Sequence, residues 1–126
     1  MRFYEYEAKA LLGRSGLPTP KGGNATTPEE AAKAATQVGG PVVLKSQVLS
    51  GGRMKAGGIK FADSPEQARR EAEAILALSI NGQKARSVLV EARAQTRQEF
   101  YAGVTYDALA KGPVLLFSDM GGIDIE

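Results

Sequence analysis

Apolar positions recur at three- and four-residue intervals in three stretches of the chain, and run together or alternate in several shorter ones. Over residues 4–15, Ala8, Leu11 and Leu12 share one side of a predicted helix. Gly16 suits the left-handed residue that ends helices, and Pro18 and Pro20 impose an extended exit toward a strand. Thr27-Pro28-Glu29-Glu30 is a helix start: a hydroxyl cap, proline at the first helical position, and a glutamate to close a capping box. Ala31, Ala35 and Val38 follow as a buried stripe small enough for close packing on a sheet, and Gly39 and Gly40 end the helix. Ser64-Pro65-Glu66-Gln67 repeats the start signal. Ala68, Ala72, Ile75 and Leu76 carry its stripe, Ile80 keeps the spacing past Ser79, and Asn81-Gly82 breaks the helix.

Between these stretches lie strand patterns. Val42-Val43-Leu44 is a continuous apolar run and reads as a buried strand leading to Lys45 and Gln47. Ile59 and Phe61 alternate with Lys60, and Val88-Leu89-Val90 forms another buried strand that ends at Glu91. Residues 99–106 place Phe100, Ala102 and Val104 on one side, and Val114-Leu115-Leu116-Phe117 is a further strand. The six residues 107–112 are short enough to join those last two as an antiparallel hairpin. The order predicts an α+β fold, with helices on a mixed sheet that needs both parallel and antiparallel neighbours.

Composition narrows the chemistry. The 126 residues contain no cysteine and no histidine. Disulfide scaffolds, thiolate or imidazole metal sites, and Ser–His or Cys–His nucleophiles are therefore excluded. The length suits one domain with a hydrophobic core and is too little for a two-domain enzyme. The net charge of +2 is not concentrated: Arg69 and Arg70 sit among Glu66, Glu71 and Glu73. No basic stripe interleaved with aromatics marks a nucleic-acid surface. The start of the chain is charged, and no segment reaches the ~18 apolar residues of a membrane span. The expectation is a soluble, cytoplasmic protein.

Three features carry candidate chemistry. Lys45 directly follows three apolar strand residues, and an anionic ligand would compensate an ammonium held there. The alternative is a lysine that reaches solvent from a strand end. The stretch 50–58, Ser50-Gly51-Gly52-Arg53-Met54-Lys55-Ala56-Gly57-Gly58, holds four glycines and two cations. Glycines let backbone amides approach an anion, and the cations add charge against phosphate oxygens. The spacing is neither a Walker A loop nor a dinucleotide fingerprint, and a flexible hairpin with solvated charges remains open. Glu91 mirrors Lys45 at the end of its own strand. With Glu99 it could hydrogen-bond a nucleotide's amine or hydroxyls, or it could be a strand-end carboxylate in water.

In order and spacing, Glu5-Tyr6-Glu7-Ala8-Lys9, Gly16-Leu17-Pro18-Thr19-Pro20, Val43-Leu44-Lys45-Ser46-Gln47-Val48, the stretch 50–58, Leu89-Val90-Glu91-Ala92 and Gly121-Gly122-Ile123-Asp124-Ile125-Glu126 resemble the succinate–CoA ligase beta subunit. The resemblance covers essentially the whole chain and is most specific from Lys45 to Gly58. It implies that residues 1–126 are the amino-terminal part of an ATP-grasp domain. ATP would bind with Lys45 on phosphate and with Gly52, Arg53 and Met54 in the loop over the phosphates. Glu91 would sit at the hinge, the backbone near Ala94 beside the adenine, and Glu99 further along the nucleotide. The family makes acyl-CoA from acid, CoA and nucleoside triphosphate, within the tricarboxylic acid cycle. It passes through an acyl phosphate and a phosphohistidine carried by a partner alpha subunit. Magnesium ligands are expected in the part that is missing here.

The chain departs from the family at Met54, where glycine is usual, at Leu49, where histidine is common, and at Met120, which replaces an acidic residue. A methionine at a position needing positive φ would be strained. Two other readings stand beside this one: a stand-alone nucleotide-binding or interaction module, and an ATP-grasp ligase acting on malate, acetate or citrate.

Overall fold

A computed structural model describes residues 1–122. In chain order the elements are α1 (Glu5–Arg14), β1 (Gly22–Ala25), α2 (Pro28–Val38), β2 (Val42–Ser46), β3 (Ile59–Ala62), α3 (Pro65–Ala77), β4 (Ser79–Ile80), β5 (Gln83–Lys84), β6 (Val88–Ala92), β7 (Tyr101–Asp107) and β8 (Gly112–Ser118). The terminal Ile123-Asp124-Ile125-Glu126, part of the resemblance, lies outside the described residues.

The cap signals act as the sequence predicts, with one shift. The Glu30 amide donates to Thr27 Oγ1 and the Gln67 amide to Ser64 Oγ, each at 3.2 Å. The returning side chains pass over the cap residue. Glu30 Oε2 accepts from the Thr26 amide at 2.7 Å, and Gln67 Oε1 accepts from the Asp63 amide at 3.0 Å. The α2 and α3 starts are thus fastened one residue further out than a capping box would fasten them.

The chain divides into two units, Met1–Ala94 and the residues from Gln95 onward. The first holds a four-stranded sheet of order β1-β6-β2-β3. Every pairing is antiparallel, so the parallel neighbours expected from the sequence are absent among the described residues. The reason is topological. The crossover through α2 makes β1 and β2 run the same way, but β6 inserts between them. The crossover through α3 does the same for β3 and β6, with β2 between. Both crossovers are split, and polarity alternates across the sheet. The α+β class stands.

α2 and α3 cover one face of this sheet. Ala31, Ala34, Ala35, Ala68, Ala72 and Ile75 close on Val42, Leu44, Val88 and Val90. Alanines at these positions bring the helix axes near the strands without holes. β2 is not buried on both sides, contrary to the continuous apolar run. Val42, Leu44 and Ser46 are buried, while Val43 and Lys45 turn to the other face, half-covered. Phe61 is 46% exposed and does not join the core. Its ring instead receives the Arg93 guanidinium, 4.9 Å from the ring centre.

α3 stops before the sequence pattern does. Leu78 is extended (φ −72, ψ 148), and the buried Ile80 belongs to β4. Asn81 and Gly82, both at positive φ (50 and 78), make the two-residue turn to β5. The Asn-Gly pair therefore builds a hairpin; α3 has already ended at Ala77. α1 buries no residue, and its Leu11 and Leu12 are exposed, so its apolar side is not a core stripe.

The second unit is the β7–β8 hairpin, closed where Asp107 faces Gly112. Ala102, Val104 and Tyr106 lie opposite Phe117, Leu115 and Pro113 on one face, and Phe100 stacks on Phe117 at 5.8 Å. The alternation is as expected, but the face is open, with Val104 74% exposed. No helix among the described residues is long and apolar enough to cross a membrane.

We expect Ile75→Ala to lower the unfolding free energy by about 2–5 kcal/mol, because the cavity opens where α3 meets the sheet. Val104→Thr should stay within about 0.5 kcal/mol. Urea unfolding of both variants checks this.

Candidate functional site

On the sheet face away from α2 and α3, register brings the charged residues together. Lys45 pairs with Leu89 and Val43 with Glu91, so Lys45 and Glu91 are diagonal neighbours on adjacent strands. α1 crosses this face. Its Glu5 and Lys9, four residues apart, point the same way. The Tyr6 amide donates to the buried Gln47 at 3.2 Å and fixes the crossing.

Five charged groups meet there. Lys45 Nζ lies 2.8 Å from Glu5 Oε1 and 3.0 Å from Glu91 Oε2. Lys9 Nζ donates to both Glu91 oxygens at 2.6 Å and sits 2.9 Å from Glu5 Oε1. Arg53 Nη1 donates to Glu5 Oε2 at 2.9 Å and to the Ser46 carbonyl at 3.1 Å. Three cations face two carboxylates, leaving an excess of one positive charge. Glu91 is 2% exposed, so it is not a strand-end carboxylate in water. Lys45 does not simply reach solvent either, since it is engaged by two carboxylates.

These contacts move the protonation equilibria. Burial pushes the Glu5 carboxyl up, but the hydrogen bonds and positive charges of Lys45 and Lys9 outweigh it and hold it at about 2. Burial pushes Lys45 down. Glu5 and Glu91 more than reverse that, and the ammonium ends above its usual value.

The glycine-rich stretch folds into a turn closed by its own backbone hydrogen bonds. Gly52 and Gly57 both take φ 76. The Ala56 amide donates to the Gly52 carbonyl at 3.1 Å and the Gly58 amide to Arg53 at 2.7 Å. The Ser46 amide then donates to the Gly58 carbonyl at 2.7 Å and pins the turn to the end of β2. A side chain at Gly58 would overlap Ser46 Oγ and Ile80 Cδ1, so only glycine fits. The Ala56, Gly57 and Gly58 amides are used within the turn. Met54 has no positive φ, so replacing glycine there strains nothing.

Lys45, Arg53 and Glu91 are thus gathered at one place, with Gly52 and Met54 beside them on the turn. Ala94 is exposed at the end of the first unit, three residues past Glu91. Glu99 belongs to the second unit, where its carbonyl accepts from the Gly121 amide at 2.8 Å. Reasoning from the residues alone missed Glu5 and Lys9. Their only local signal was an acid and a base at i and i+4 in α1. A cleft of about 280 Å³ opens beside the cluster, lined by Tyr6, Lys9, Pro20, Gly22, Leu89 and Glu91 among others.

The clustered cations and their net positive charge suit a polyphosphate, whereas Ser46 Oγ, buried without a partner, lies on the other side of β2 with Val42 and Leu44. Among the described residues, no three carboxylates come together to hold a metal.

Residues 2–126 match the family model of the ATP-grasp domain. The whole chain is 50% identical to the ADP-forming succinate–CoA ligase subunit beta of Rubrobacter xylanophilus, of which it spans 33%. It is 47% identical to the GDP-forming subunit beta of Thermus thermophilus, again over 33% of that protein. The chain spans about a third of the length of these curated relatives. Among solved structures it is similar to a dinucleotide-forming acetyl-coenzyme A synthetase of Ca. Korarchaeum cryptofilum. The TM-score is 0.75 at 27% identity, covering 96% of this chain and 54% of that one.

Glu5 makes the site sensitive to acid. Its carboxyl is depressed on folding, so its contribution is complete above the ordinary value of 4.5 and is lost as pH falls through about 2. We expect the unfolding free energy in urea to fall as pH drops from 4.5 toward about 2, and Glu5→Gln to flatten that fall.

Proposed function

On the premise that the chain belongs to the ATP-grasp domain family, we propose that it is the nucleotide-binding part of an acid–CoA ligase of the succinate–CoA ligase beta type. The observation that carries this reading is the convergence of Lys45, Arg53 and Lys9 on Glu5, Arg53 reaching in from the glycine turn, with one positive charge to spare. Lys45 and Arg53 meet the phosphate oxygens, where charge-assisted hydrogen bonds are strong. Gly52, Arg53 and Met54 lie over the phosphates. Glu91 stands at the hinge, and the backbone near Ala94 lies beside the adenine.

The ligase couples nucleoside triphosphate cleavage to acyl-CoA formation. Phosphoryl transfer depends on positioning and on neutralising charge with a metal. We assign the magnesium ligands and the CoA site to the part of the relatives' length that these residues do not cover. An alpha subunit supplies the phosphohistidine. The open apolar face of the β7–β8 hairpin supports this division, because a two-stranded hairpin gains stability from a covering layer. The reading assigns the protein to the cytoplasm and the tricarboxylic acid cycle. A second reading, an acetate-type ligase, is favoured by the likeness to the acetyl-coenzyme A synthetase. The higher identity to succinate–CoA ligase subunits ranks it second.

Calorimetric titration with ATP and magnesium, beside Lys45→Ala, tests the site. We expect the unaltered chain to bind and the variant to bind at least about tenfold more weakly. Absence of binding by both would remove a preformed half-site. We also expect no acyl-CoA formation from this chain with ATP, acid and CoA; turnover without any added partner would overturn the assignment as a part.

A further inference from the structure

Glu5 stands where an anionic ligand of Lys45 and Arg53 would stand. Its two oxygens are divided between them, Oε1 to Lys45 at 2.8 Å and Oε2 to Arg53 at 2.9 Å. Two oxygens of one anion bridging two cations is also the arrangement a phosphate group would make. We propose that Glu5 is a built-in counter-ion that holds the anion position in the free chain, and that a nucleotide polyphosphate binds by displacing it. This rests on the reading of Lys45 and Arg53 as phosphate-binding cations.

The surroundings permit the exchange. The exchange needs only the Glu5 side chain, 21% exposed, to rotate away, while α1 stays docked through Lys9 on Glu91. The helix's ties to the rest of the unit are polar: Tyr6 to Gln47, Lys9 to Glu91, and Arg2 Nη1 to the Leu49 carbonyl at 3.3 Å. The framework survives the loss of Glu5. Lys9 keeps both oxygens of Glu91, Lys45 keeps Glu91 at 3.0 Å, and Arg53 keeps the Ser46 carbonyl. The buried Glu91 therefore never loses its partners. With Glu5 withdrawn, the excess positive charge of the cluster rises from one to two. At neutral pH the Glu5 carboxyl is ionised, so any anion entering the site meets it as a competitor. α1 is then more than an ornament on the sheet. Its first turn sets the charge that the site offers, and rotation of the Glu5 side chain changes that charge while Lys9 holds α1 in place.

The experiment measures MgATP binding to the full chain and to Glu5→Gln, Glu5→Asp and Lys45→Ala, and follows the Ala8 and Ala10 amides by NMR. Removing the competing charge should tighten binding about five- to tenfold in Glu5→Gln. Glu5→Asp, which keeps the charge, should stay within about twofold of the unaltered chain. MgATP should shift the Ala8 and Ala10 signals of the unaltered chain. If Lys45→Ala loses binding while Glu5→Gln binds no tighter than the unaltered chain, the counter-ion role is overturned and the nucleotide site stands. If neither the unaltered chain nor Glu5→Gln binds, both fall. Should Glu5→Gln lose the core amide signals of β2 and β6, the α1 amides decide: signals unmoved by bound MgATP overturn the proposal.

Discussion

The carboxylate of Glu91 is buried near the middle of the sheet, on the strand that β1 and β2 both hydrogen-bond. A buried carboxylate without cations would cost several kcal/mol. Lys9 and Lys45 meet that demand, and doing so decides much else. Lys9 reaches Glu91 only if α1 crosses the sheet face opposite α2 and α3. Once α1 is there, Glu5 falls beside Lys45, and Arg53 is drawn back from the turn to Glu5. One buried charge thus arranges a helix, a strand end and a loop around a polar site.

The sheet consequently has two chemically different sides. The α2–α3 side is closed by alanines and branched aliphatics, and its stability comes from burial. The α1 side is held by ion pairs and hydrogen bonds. A ligand's charges can exchange with those bonds at little cost, whereas an apolar core offers them nothing. The split crossovers are what keep the sides apart. They carry both covering helices to one face while β6 and β2 bring Glu91 and Lys45 side by side on the other.

Local chemistry was legible in the sequence. Thr27 with Pro28, and Ser64 with Pro65, mark helix starts through bonds made within four residues, and the alanine stripes mark the faces those helices bury. Lys45 and Glu91 were legible as candidates because a charge at the end of an apolar run invites a partner, and Arg53 because it stands among the glycines of the stretch 50–58. What could not be read was set by distance along the chain. Glu5 and Lys9 meet residues 40 and 82 positions away, and no spacing rule records that. The insertion of β6 between β1 and β2 is likewise a long-range event, and it turned expected parallel pairs into antiparallel ones. Phe61 kept the alternation of a strand but packed on Arg93 at the surface, because its partner strand position, Val43, faces the polar side. Asn81-Gly82 was read as a helix breaker, although the same residues are the strongest short signal for a hairpin.

The most direct measurement is a crystal structure of the chain with magnesium and a non-hydrolysable ATP analogue. Phosphate oxygens within hydrogen-bonding distance of Lys45 Nζ and the Arg53 guanidinium, with the base toward Glu91 and Ala94, are the expected result. A nucleotide bound elsewhere on the first unit, with Lys45 and Arg53 still paired to Glu5, would contradict the assignment of this cluster as the nucleotide site.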